Sequence, residues 1–124
     1  MPLEELGERM SSILNDVKKV CNVPPDYEAF DQDIILHTNS VFMILHQLGV
    51  GPEKAFSIED ETSDWSEFEG VDDLQAVKTY VGMRVKILFD PNGTSYVISA
   101  MERQCDELEW RLCLEAEEVR KLDG

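Results

Sequence analysis

Basic residues are scarce in this chain. Eleven lysines and arginines stand against 26 aspartates and glutamates, a formal net charge of −15. A surface of that sign is repelled by phosphate backbones and anionic membranes, so tight direct binding to DNA is disfavoured. Long apolar runs are missing as well: no stretch reaches the roughly 18 residues that a membrane-spanning helix needs. The opening MPLEELGERM is acidic and polar, unlike a secretory leader. Only three cysteines occur, Cys21, Cys105 and Cys113. They cannot all pair and none forms a CxxC, so reduced thiols in a cytosolic protein are expected.

Catalytic and metal-binding patterns are also lacking. His37 and His46 are the only histidines. Asp33 and His37 share a helical face, but no third ligand is spaced to complete a set, and a plain polar face is the expectation. A calcium loop counted from Asp60 would need glycine at its sixth position and glutamate at its twelfth; Trp65 and Val71 stand there. GxSxG, P-loop, HExxH and Gly-rich strand–helix turns are absent. Carboxylates are so abundant that no pair of them is informative. No cofactor, no metal and no enzymatic activity are expected.

What remains is helical patterning. The 124 residues suit a single domain, 1–124, with a real core. The chain is organised around 72–112. There Leu74, Val77, Tyr80, Val81, Val85, Leu88 and Phe89 recur at three- and four-residue steps, as do Val97, Ala100, Met101, Gln104, Cys105, Leu108 and Leu112. Asp90-Pro91-Asn92-Gly93 between them is a strong turn, so two antiparallel helices are predicted. Asp72 is the expected N-cap of the first of them, with Gln75 completing a variant capping box. The second starts near Thr94 or Ser95, and the stretch LCLEAEEVRKLDG can extend it.

Upstream, Leu3, Leu6, Met10, Ile13, Val17 and Val20 predict a helix over 3–21, with Lys18 and Lys19 at its dipole-favoured end and Pro24-Pro25 stopping it. Another helix runs to Leu48, capped by Asp26 or by Asp31 with a Phe30–Ile35 staple. Its apolar face is Ile34, Ile35, Thr38, Val41, Phe42, Leu45 and Leu48, and Gly49 ends it. Residues 53–71 read as an irregular acidic loop tied down by Trp65 and Phe68. The predicted fold is all-α: a small four-helix bundle with that loop between the second and third helices. The core is expected at Leu74, Val77, Val81, Val85, Leu88, Met101, Leu108, Leu112, Val41, Phe42 and Leu45.

VKTYVGMRVKILFDP followed by MERQCDELEWRL resembles the small head–tail connector (adaptor) proteins of long-tailed bacteriophages and prophages. HTNSVFMILHQLGVGP and FSIEDETSDWSEFEG resemble them too, in the same order. The likeness covers about residues 30–112 and is least over the tail, 113–124. It implies a mostly helical protein that forms a homo-oligomeric ring in the neck of the virion. That ring would sit between the portal and a downstream tail or stopper protein, acting in DNA packaging and head completion. It would be made in the host cytoplasm. An acidic DNA mimic that occupies a nucleic-acid-binding partner is the alternative from another class; ring formation discriminates the two.

Candidate interface residues follow from charge and stripe. Trp110 and Leu114 form a second apolar stripe, facing away from Leu108 and Leu112; Trp110 is expected either to anchor an interface or to pack under the acidic loop. Asp60, Glu61, Asp64 and Glu67 belong to the acidic loop. Lys78, Gly82 and Lys86, with Arg84 nearby, form a basic ridge expected opposite Val77, Val81 and Val85. Glycine inside a helix marks either a tolerated exposed position or a close approach. An acidic loop and a basic ridge would give a ring its two complementary patches; the loop folding back within its own subunit is the competing expectation.

Overall fold

The computed structural model describes residues 11–90 and 93–123, with side chains through Val119. Four α-helices lie among them: α1 (Ile13–Val20), α2 (Asp31–Gln47), α3 (Leu74–Phe89) and α4 (Ser95–Asp123). A 3-10 turn occupies Trp65–Glu67. The described residues contain no β-strand, only an isolated antiparallel bridge between Ser12 and Asp64. The fold is an all-α bundle.

Helix α3 is its centre and packs against each of the other three. That explains its composition. Val77, Tyr80, Val81 and Val85 are buried on one side, and Gly82 is buried on another. A Cβ built on Gly82 would come 3.0 Å from Val20 Cγ2. The glycine is therefore where α1 crosses α3 at short range, which a side chain there would oppose.

Helix α2 contributes Ile34, Ile35, Thr38, Val41, Phe42 and Leu45 to the core. It stops through a Schellman motif: Gly49 adopts φ 80°, its N–H donates to His46 O at 3.0 Å, and the Val50 N–H donates to Leu45 O at 2.9 Å. Val50, the apolar residue after the glycine, is buried.

The segment between α2 and α3 lies against its own bundle. Phe42 of α2 stacks on Phe68 at 5.2 Å and meets Phe56 edge-on at 5.0 Å. Asn39 supplies both halves of a main-chain partner. Its Oδ1 accepts from Ile58 N at 2.8 Å, and its Nδ2 donates to Ile58 O at 2.9 Å. At the far end, the Ile13 N–H donates to Ser63 O at 3.0 Å, and the Trp65 indole donates to Asp16 Oδ2 at 2.8 Å.

Several expectations are corrected. The predicted 3–21 helix begins at Ile13, because Ser12 has extended geometry (ψ 132°) and caps α1 by accepting from Asn15 N. Leu3, Leu6 and Met10 lie outside the described residues. Neither Asp26 nor Asp31 caps α2. Phe30 occupies that position without a side-chain cap, since Asp31 is drawn to Lys18 at 2.6 Å. Phe30 turns to Phe89, with ring centroids 5.3 Å apart, in place of the expected staple. Asp73, not Asp72, caps α3, accepting from Ala76 N at 3.0 Å.

Leu88 is 47% exposed and is not a core residue. It shares the angular face of Val77, Val81 and Val85, but it sits in the last turn of α3. Tyr96 and Val97, in the first turn of α4, are exposed as well. Leu88, Tyr96 and Val97 thus lie beyond the reach of a covering helix, while Phe89 on the other side of α3 packs against Phe30. Pro91 and Asn92 of the predicted turn lie outside the described residues. Helix α3 ends at Phe89, and Thr94 Oγ1 accepts from Val97 N as α4 begins.

Candidate interaction surfaces

The two walls of α4 differ. Cys105 and Leu112 are buried against the bundle, with Leu108 and Ala116 packed partly beside them. Tyr96, Arg103, Glu107, Trp110 and Leu114 are all exposed. At 100° per residue these five fall within about 60° of one another, on the side away from the core. Trp110 is 64% and Tyr96 78% exposed. The sequence expectation left open whether Trp110 packs under the acidic loop; the structure places it in solvent.

A second uncovered face belongs to α2. Leu36, Ser40, Met43, Ile44 and Gln47 are exposed together, and Leu36 is 68% exposed. Sequence reasoning missed this face because it followed only the stripe turned toward the core. Leu36 and Met43, seven residues apart and off that stripe, were the available signal.

The candidate basic ridge is spoken for within the chain. Gly82 lies under Val20. The Lys78 ammonium stands 5.8 Å from the centroid of the Trp65 ring. Lys86 Nζ donates to Val20 O at 3.2 Å, capping the carbonyl end of α1. Arg84 faces α4, bridging Glu109 and, at 3.2 Å, Asp106. The Tyr80 hydroxyl donates to the same Glu109 at 2.8 Å. This α3–α4 clasp is built on a tyrosine that burial pushes well above its ordinary pKa, so the hydroxyl remains a donor.

The acidic candidates divide. Asp64 and Glu67 form a capping box around the 3-10 turn: Asp64 Oδ1 accepts from Ser66 N and Glu67 Oε2 accepts from Asp64 N, both at 2.9 Å. Asp60 holds Thr62 through its backbone and hydroxyl, and those hydrogen bonds lower its pKa. Glu61 is exposed. The structure therefore seats the loop on its own bundle through Trp65 and Phe68 and leaves Glu59, Asp60 and Glu61 facing water.

Among the described residues, no three His, Cys, Asp or Glu side chains are grouped to hold a metal ion, and no helix is long and apolar enough to cross a membrane. Asp33 is exposed and His37 half-buried on α2. Burial pushes the Cys21 and Cys105 thiols up to about 11, which suppresses the nucleophilic thiolate. The arrangement offers surfaces for protein contact.

Comparison with curated proteins and with solved structures returned no match. A family model described as phage connector protein matches residues 13–119. That span opens at the first residue of α1 and closes in the last turns of α4, so it takes in the clasp, the anchored loop and both uncovered faces. On that match the chain belongs to the phage connector protein family.

Proposed function

We infer that this phage connector protein is a structural component of the virion. We propose that it is a non-catalytic, single-domain adaptor of the virion neck. It closes into a homo-oligomeric ring between the portal and a tail or stopper protein, is made in the host cytoplasm, and serves DNA packaging and head completion. The observation that carries this reading is the outward face of α4. Tyr96, Trp110 and Leu114 are large apolar side chains left in water on the side remote from the core, and tryptophan and tyrosine are frequent interface anchors. The face on α2, with Leu36 and Met43, is a second and different surface. Helices α2 and α4 both pack on α3, and two unlike patches on one subunit are what a head-to-tail ring requires.

The test is light scattering and negative-stain microscopy of the protein alone and with its cognate portal. Rings in either condition are expected. A monomer in both, with no portal complex, overturns the proposal.

A further inference from the structure

A groove runs between α1 and α3, lined by Val17, Lys19, Val20, Trp65, Lys78 and Thr79, with Asp16 its one carboxylate, engaged by the Trp65 indole. Its floor is apolar, and two ammonium groups are set along it. Lys18, Arg84 and Arg111 each hold a carboxylate, whereas Lys19 and Lys78, like Lys54 and Arg103 elsewhere, make no ion pair among the described residues. In a chain of net charge −15, this is a local surplus of positive charge beside an apolar trough.

Across the molecule, the second half of α4 has the opposite character. Trp110 and Leu114 are exposed, and Glu117 and Glu118 continue the same face one turn on. It is an apolar ridge ending in acid. Helix α4 packs chiefly on α3, whereas α1 packs on α3 and α2, so ridge and groove cannot meet within one subunit.

We infer that the α1–α3 groove receives α4 of a second copy of this chain, with Trp110 and Leu114 over the apolar floor and Glu117 and Glu118 against Lys19 and Lys78. Charge and shape both select this occupant. Lys19 and Lys78 give the groove the sign opposite to that of Glu117 and Glu118 on the ridge, and a helical ridge fills a groove between two helices. Ridge and groove are different patches, so the contact is head-to-tail and propagates around a ring. The inference rests on the ring reading above and names the surfaces that close it.

Cross-linking tests the contact directly. In a Cys113→Ser background, one preparation carries Thr79→Cys and another Leu114→Cys. When the two are mixed and assembled, mild oxidation is expected to give a disulfide-linked pair that neither preparation forms alone. Charge exchange is the second measurement. Lys19→Glu with Lys78→Glu, and separately Glu117→Lys with Glu118→Lys, should each raise the concentration for half-assembly about tenfold, and mixing them should restore part of the loss. Helical content verifies that the variants fold. Rings that form without the Thr79→Cys to Leu114→Cys link, or with unchanged assembly in the reversals, overturn this interface and leave the ring standing. No ring from the wild type, alone or with portal, removes both.

Discussion

Lys18 is 1% exposed, the one charged side chain fully buried among the described residues. It is tolerated because two carbonyls accept from it, Pro25 O at 3.0 Å and Tyr27 O at 2.8 Å, and the Asp31 carboxylate pairs with its charge at 2.6 Å. It thereby ties α1 to the 22–30 turn and to the first residue of α2. Nothing in the sequence marks it, since its partners are brought near only by the chain reversal after Pro25. Lysine at a helix C-terminus ordinarily points to solvent. Lys18→Ala strands a carboxylate and two carbonyls, so a loss of about 3 kcal/mol in urea unfolding is expected; an unchanged midpoint would contradict the role. The buried thiols give a pH signature at the same scale. Cys21 and Cys105 are pushed up to about 11 from 9.0, so the folded protein holds these protons more tightly than the unfolded chain does. Their contribution to stability is complete below about pH 9 and falls as pH rises toward 11. At pH 8, iodoacetamide should modify half-buried Cys113 well before Cys21 or Cys105; equal rates would show that the two are not enclosed.

At the scale of elements, the core stripes were legible at Ile13 and Val17, along α2, at Val77, Val81 and Val85, and at Cys105 and Leu112, because three- and four-residue spacing states which face is apolar; on α4 Val97 is exposed and Met101 stands outside the core. The ends of helices and the reach of neighbours were not. Leu88 and Val85 carry the same periodic signal, yet only Val85 is buried, because spacing reports direction and says nothing of how far a partner helix extends. The same gap hid the fate of Lys78, Gly82 and Lys86. Three polar or small residues at four-residue steps read as an outer ridge, but a central helix has no outer side, and α1 covers this one. Cap positions slipped by one: at Asp73 because adjacent aspartates compete for the same N–H groups, and at Phe30 because Asp31 is drawn to Lys18. Trp65 and Phe68 stood out as anchors because large aromatics in a polar loop have little other use; Asn39, their polar counterpart, gave no such signal. The distinction between hairpin body and tip is measurable. Leu112, 2% exposed, should cost about 2–5 kcal/mol on truncation to alanine, whereas Leu88→Ala should cost less than about 1 kcal/mol. Equal losses in denaturant titrations would mean that the tip is covered after all.

For the whole molecule, charge is the governing property. In the ring proposed for the virion neck, the protein would stand beside the path of the genome, where a surface that grips duplex would stall it. With a net charge of −15, and with Lys18, Arg84 and Arg111 already committed to carboxylates, the chain presents DNA with a field of like sign. Lys19 and Lys78, which make no ion pair among the described residues, line the α1–α3 groove, where a helix of a neighbouring subunit would cover them, so assembly should leave the ring more uniformly acidic than its parts. Neither the isolated protein nor the ring should therefore bind duplex DNA. Lowering the salt should not rescue binding either, because weaker screening lengthens the repulsion, the reverse of the behaviour of proteins that release counterions from DNA. A gel shift with linear duplex at physiological and at low ionic strength measures this, with protein up to about 100 µM, which spans the range of ordinary non-specific affinities. Free DNA in every lane is the expected outcome. A retarded band that strengthens as salt falls would reveal a basic surface that the ring leaves open, and the like-charge account of the channel would have to be given up.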